Sequence, residues 1–254
     1  MSHYNVSFKC GSFLIAFLLL CGCAAMGPVK FDRAANTHIK KIALLRVNEP
    51  SIAIYGAPKF YSNPMLYGGG IVGGLLSYYT TVKPTVKKRS GVFLKAKDES
   101  HVFFGPPMAA AIQQELTQKG YDVIYLEDMM MGRPPPNGVV QVKDIKDVQT
   151  DADAILFVHL CAGYACQSKK KGFKPSVFAA VRLYDSRSKK VIYSRNIDVG
   201  EGSRASRPNV TFIPPDEKYT YNSFDAVKKN FDEAVQGITD CQNKIAARIA
   251  EHLK

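Results

Sequence analysis

Ala152-Asp153-Ala154-Ile155-Leu156-Phe157-Val158-His159-Leu160 is an apolar run whose only polar member after its entry is His159. Such a stretch suits a central strand, because a strand buried on both faces loses the alternation that marks a half-exposed one. The chain on either side supplies partners for it. Downstream, Ser176 to Tyr184 alternates in part, Asp185-Ser186-Arg187-Ser188-Lys189-Lys190 turns, and Val191-Ile192-Tyr193-Ser194-Arg195 returns, which predicts an antiparallel hairpin. Upstream, Tyr121 to Leu126 reads as a strand and residues 141 to 150 as a short helix. Between them lies a loop expected to be irregular and exposed, with Met129-Met130-Met131 and Pro134-Pro135-Pro136.

Further out, Gly105-Pro106-Pro107 opens a helix with proline in its first turn. Met108, Ala111, Ile112 and Leu116 give it an apolar face, and Lys119-Gly120 closes it. The run from Ile39 to Val47 is the first strand, ended by Asn48-Glu49-Pro50. Residues 48–104 read as a Gly/Pro-rich insertion in which Pro50, Pro58, Pro64 and Pro84 break regular elements. Residues 200 to 220 read as loop. A long final helix starts near Asn222-Ser223, with Phe224, Val227, Phe231, Val235, Ile238, Cys241, Ile245, Ile249 and Leu253 on one stripe and a bend at Gly237. The class is α/β (α+β), a mixed sheet with the amphipathic helix and the long C-terminal helix packed on it.

The first residues carry a different message. Lys9, then the apolar Phe13-Leu14-Ile15-Ala16-Phe17-Leu18-Leu19-Leu20, then small residues and cysteine, is the order of a signal peptide. The apolar run falls short of the roughly 20 residues a spanning helix needs. Leu20-Cys21-Gly22-Cys23 resembles the bacterial lipobox, with Gly22 small before Cys23, whereas Leu20 before Cys21 is too bulky. The resemblance implies that residues 1–22 are removed and that Cys23 receives diacylglycerol and an N-acyl chain such as palmitate; an ordinary signal peptide without lipid is the alternative. Ala24 in place of aspartate points to the outer membrane, facing the periplasm, by the sorting rule of enteric bacteria. Residues 23–38 then form a lipidated tether, and residues 39–254 a single α/β domain.

Removing 22 of the 254 residues leaves 232, enough for one large domain at 46% hydrophobic residues. The formal charge of +12 falls only to +11 on loss of Lys9. No nucleic-acid motif accompanies that charge, and export takes the chain away from nucleic acid, so anionic envelope glycans and lipids are the natural counterparts. The clusters Lys40-Lys41, Lys87-Lys88-Arg89, Lys169-Lys170-Lys171, Lys189-Lys190 and Lys228-Lys229 read first as solvated turns and helix faces.

Beyond Cys23 the mature chain holds Cys161, Cys166 and Cys241. Cys161 and Cys166 flank Ala162-Gly163-Tyr164-Ala165, read as a short turn, and an oxidising periplasm would let them pair, leaving Cys241 buried in a helix. No metal site is expected. Within the insertion, Gly69/Gly73 and Gly70/Gly74 are each four apart and followed by Leu75-Leu76. On a helix they would make a close-packing face for a membrane or a subunit; as a loop they would have no partner, and the glycines do not decide between the two. No Gly-Lys-Ser/Thr follows, so nucleotide binding is set aside.

The order strand, insertion, helix, strand, helix, strand, hairpin, helix resembles the small α/β domain of the curli secretion lipoprotein and the TolB amino-terminal domain. Lipoprotein activators of penicillin-binding proteins look similar, as do proteobacterial outer-membrane lipoproteins in general. The matching stretches are Lys41 to Leu45, Gly120 to Val123, Ala152 to Leu156, Val181 to Asp185 and Lys190 to Ser194. They are fold-forming positions, so the resemblance implies architecture rather than activity. Paired ten-residue amphipathic strands of the kind that build the curli channel are missing from the insertion. No Gly-x-Ser-x-Gly, His-Glu-x-x-His or Ser-x-x-Lys motif offers the geometry of a hydrolase, and His159 with Cys161, two apart on one strand face, reads as packing. The expectation is a non-enzymatic, lipid-anchored envelope protein that uses no cofactor and binds a protein partner as an accessory or assembly factor. The alternatives are an oligomeric secretion or channel component, or a binder of anionic glycan or lipid.

Overall fold

The central strand is longer than its apolar run: β6 extends over Ala154–Ala165. In the computed structural model, which describes residues 28–56, 83–131, 138–166, 171–200 and 210–254, every other strand of the main sheet is placed by it. On one edge β6 carries two short strands in line, β1 (Lys41–Leu45) and β2 (Ser51–Tyr55), both parallel to it. β3 (Asp122–Leu126) pairs parallel with β1. On the other edge β7 (Lys174–Asp185) and β8 (Val191–Val199) follow antiparallel as the expected hairpin, and β9 (Val210–Ile213) adds parallel to β8.

The gap between β1 and β2 would orphan the backbone of Leu160 on β6. Asn48 fills it: its Oδ1 accepts from Leu160 N at 2.8 Å and its Nδ2 donates to Leu160 O at 3.0 Å. The side-chain amide thus stands in for a strand residue, and it is 3% exposed. The adjacent Glu49 carboxylate accepts from Phe104 N (3.1 Å) and Gly105 N (2.8 Å), with Lys97 Nζ 3.5 Å away. It supplies the N-terminal cap that Phe104 cannot give the helix α2 (Gly105–Gln118).

Helices α1 (Lys83–Glu99), α2, α3 (Phe224–Lys229) and α4 (Phe231–His252) contribute to one apolar core with the even-numbered side chains of β6 and Val177, Ala179, Val181 and Leu183 of β7. This is the expected mixed α/β class with a long C-terminal helix on the sheet. That helix is interrupted at Asn230. Gly237 serves a different purpose: a Cβ there would stand 2.6 Å from the Tyr164 hydroxyl, so its absence lets α4 settle onto β6.

Four other expectations change. The described residues of the stretch 48–104 include two regular elements, β2 and α1. Pro50 only precedes the strand, and Pro84 sits in the first turn of the helix, where a missing N–H costs nothing. The Met129–Met131 segment is not irregular but forms β4, paired with β5 (Val140–Val142), with Met130 buried. Residues 200–220 include β9, and the expected short helix near 141–150 is one 3₁₀ turn at Ile145–Asp147.

Part of the segment expected as tether packs on the domain. Val29 exchanges two backbone hydrogen bonds with Ser194 (3.1 and 2.9 Å), Phe31 packs on the core, and the Arg33 guanidinium lies over the Tyr121 ring and donates to its hydroxyl at 2.7 Å. Among the described residues, packing on the domain is therefore already present at Val29, ahead of His38.

Replacing Asn48 with alanine leaves two buried backbone groups unpaired, at about 1–3 kcal/mol each. Denaturant unfolding should show a loss of roughly 2–4 kcal/mol with an unchanged m-value.

Candidate functional site

The two faces of the sheet are unequal. The helices cover one. On the other, the β4–β5 pair and the 3₁₀ turn at Ile145–Asp147 cover only the end near Leu45, Ile155 and Tyr184, where they form a second small core. Beyond Phe157 no described helix crosses that face. Tyr55 of β2, His159 and Cys161 of β6, Phe178 and Ala180 of β7 and Phe212 of β9 lie along it, all half-buried except Tyr55, which is 48% exposed. The register sets them side by side: His159 opposite Ala180, Cys161 opposite Phe178 and, on the other edge, Ser51. The same register sets Asn196 and Asp198 of β8 opposite Ala180 and Phe178, so the face mixes apolar and polar groups, with one polar spot at its centre.

That spot is the His159–Cys161 pair, with Sγ 3.9 Å from Nε2. Thiol chemistry needs more than proximity, because the base must be oriented and developing charge must meet donors. The immediate cross-strand neighbours Ala180 and Phe178 carry no polar side chain, while Asn196 and Asp198 stand one strand further on. Among the described residues no group of three or more His, Cys, Asp and Glu is placed to hold a metal.

The expected Cys161–Cys166 disulfide does not form, and none of Cys161, Cys166 and Cys241 takes part in a disulfide. Gly163 makes no turn. The strand runs straight through it because β2 approaches so closely that a Cβ would stand 1.9 Å from the Ala53 carbonyl oxygen. Five extended residues separate the two cysteines by roughly 16 Å, well beyond the ~7 Å between Cα atoms that a disulfide tolerates. Cys241 is buried as expected, and burial pushes its thiol up to about 12.

Cys23 and Gly69, Gly70, Gly73, Gly74, Leu75 and Leu76 lie outside the described residues. Sequence reasoning missed that Gly68-Gly69-Gly70-Ile71-Val72-Gly73 spells the G-x-G-x-x-G spacing. That fingerprint gains meaning only directly between a strand and the helix it opens. Here β2 ends at Tyr55 and α1 begins at Lys83.

A second polar cluster lies where α4 ends against β8, and nothing in the sequence announces it. Tyr193 Oη stands 2.9 Å from His252 Nδ1, and Arg195 of β8 and Arg248 of α4 are close enough to act on the ring. Burial first, then these two guanidiniums, hold His252 below its usual value, with Glu251 partly opposing them. Tyr193 is pushed up by burial. A neutral ring protonated on Nε2 accepts the tyrosine hydrogen bond, which an imidazolium could not.

No helix among the described residues is long and apolar enough to cross a membrane. No protein-family model matches the sequence, and no curated protein matches it. Among solved structures, a neuraminyllactose-binding hemagglutinin homologue from Helicobacter pylori is similar at 13% identity, covering 85% of this chain and 86% of its own, with a TM-score of 0.29. The lipoprotein GNA1162 from Neisseria meningitidis is similar at 17% identity, covering 66% of this chain and 88% of its own, with a TM-score of 0.21. Likenesses this low fix neither fold nor function.

Two measurements check this description. A maleimide should label Cys161 in the native protein and leave Cys241 untouched until unfolding, as read by peptide mass spectrometry; a Cys161–Cys166 disulfide would block both partners. Because the folded His252 pKa is depressed, the unfolded chain binds more protons as pH falls below about 6.5. The contribution of His252 to stability is complete above that pH and is lost on acidification towards the folded pKa. The drop in Tm from pH 7.5 to 5.5 should therefore shrink in His252→Gln.

Proposed function

We propose that the protein is a lipid-anchored component of the cell envelope that works without catalysis, binding a protein partner on the uncovered face of its sheet as an accessory or assembly factor. The observation that carries this reading is the asymmetry of the sheet. One face is sealed by four helices, while the other presents Tyr55, Phe178, Ala180 and Phe212 on strands held rigid by the hairpin. Flat, partly apolar surfaces on a preformed scaffold suit partner binding, because little ordering entropy is lost on contact. The lipobox-like Leu20-Cys21-Gly22-Cys23 supports anchoring and Ala24 supports the outer membrane. The strand order supports kinship with the TolB amino-terminal and curli-secretion type of domain. A catalytic role is not the reading favoured, since the sequence holds neither a Gly-x-Ser-x-Gly nor a His-Glu-x-x-His motif.

Crosslinking in cells followed by purification of the full-length protein tests this, with Cys23→Ala as the unanchored control. A defined foreign partner whose recovery drops in Phe178→Asp and Tyr55→Asp, with thermal stability retained, is the expected result. A ladder of the protein alone would replace the accessory role with self-assembly into a secretion or channel complex. Recovery unchanged by either substitution would remove the open face as the binding surface.

A further inference from the structure

The uncovered face does not say how the molecule sits on its membrane; the start of the folded chain does. Val29 is fastened to Ser194 at the edge of β8, and six residue steps separate it from Cys23. Fully extended, that link reaches about 22 Å. A chain of this size has a radius of gyration near 17 Å, so the link is shorter than the molecule is wide. A lipid on Cys23 therefore fixes which side stays close to the bilayer.

Cations outnumber acids around that edge. Lys30 and Arg33 follow Val29 directly and are exposed. Arg195 is the next residue to Ser194 on β8, and Arg248 on the last turns of α4 joins it in acting on His252. Lys254 is exposed beyond the end of the helix. The Tyr121 hydroxyl, which receives the Arg33 guanidinium, itself donates to the Leu253 carbonyl, so the N-terminal segment and the end of α4 are stapled together. The acids nearby are Asp32, whose Oδ1 accepts from the backbone of Ala35, and Glu251, paired with Arg248 at 3.1 Å. Among the described residues no carboxylate pairs with Lys30, Arg33 or Arg195.

We infer that the β8 edge beside Val29, with Lys30, Arg33, Arg195 and Arg248 around it, rests on an anionic phospholipid surface. The inference rests on lipidation of Cys23. The link caps the separation at about 22 Å and lets these cations come within the roughly 8–10 Å over which their potential decays, where their attraction to the headgroups holds the molecule down. The uncovered sheet face, set on a different side of β8 from the helix-side guanidiniums, remains available to a partner.

The test uses the full-length acylated protein. Its intact mass reports the acyl chains. It is then placed in vesicles of about three parts phosphatidylethanolamine to one of phosphatidylglycerol, in phosphatidylcholine vesicles and in detergent. A water-soluble amine-acylating reagent is applied, with Lys87, Lys88 and Lys119 as internal references read by peptide mass spectrometry. Labelling of Lys30 should fall several-fold on the anionic vesicles alone. High salt should restore it in the unaltered protein, and so should the double variant Arg195→Glu/Arg248→Glu. Equal Lys30 labelling in all three settings, or shielding of Lys87 and Lys88 instead, would overturn the orientation while leaving the anchor in place. An unacylated mass would remove the premise itself.

Discussion

The structure depends on how one long strand is served by two short ones. β6 spans the sheet, yet β1 and β2 together do not cover its edge, and the break falls in the middle of the molecule, where water cannot reach the exposed peptide. A buried N–H or C=O without a partner is among the costlier defects a fold can carry. Asn48 resolves it by presenting donor and acceptor from one side chain, and the next residue, Glu49, turns outward to cap α2 and meet Lys97. Two adjacent residues thereby join the sheet to the helical layer. The free edge of β2 is protected by the same economy, since Ile54 N donates to Ser90 Oγ of α1 at 3.0 Å. That covers an edge that would otherwise invite further strands.

The elements that were legible in the sequence are those whose signal is local. The apolar run of β6, the β7–β8 hairpin and α2, with its opening prolines and closing glycine, all carry their period and punctuation within a dozen residues. What was not legible depends on contacts between distant segments. β2 is too short to show alternation and is made a strand by docking on Cys161 to Ala165. Gly163 resembles a turn residue in isolation and is in fact the point where two backbones nearly touch. Asn48 looked like the end of a strand, because an amide that imitates backbone has no sequence signature. The candidate site was legible only in part: His159 and Cys161 were seen to share a strand face, but the openness of that face follows from where the helices go.

The two faces also separate the packing that sets stability from the surface proposed for binding. The core that holds the fold is on the helix side, where Phe93, Tyr164, Ile238 and Ile249 are fully or almost fully buried. Substitutions on the open face alter little of that packing, so the surface is free to be shaped by whatever it meets. By contrast, the free thiol of Cys241 is bound up with the core, and its raised pKa is a consequence of burial rather than a sign of chemistry.

Charge follows the same logic of assembly by folding. Most of the basic clusters visible along the chain have local explanations once placed. Lys41 pairs with Asp151 at 2.7 Å, Lys189 sits in a turn and donates to the Val148 carbonyl, and Lys228 and Lys229 end α3, where the helix dipole favours them. The cations nearest the point where the chain would join its lipid are not a cluster in sequence at all. Lys30 and Arg33, Arg195, and Arg248 come from three distant segments, brought together by the Val29–Ser194 bridge and by the Tyr121 hydroxyl that ties Arg33 to the end of α4. A net charge read from composition says only that anionic surroundings are congenial. Its direction comes from the few contacts that fasten the N-terminal segment to β8, and moving that fastening by one strand would aim a different side of the molecule at the membrane.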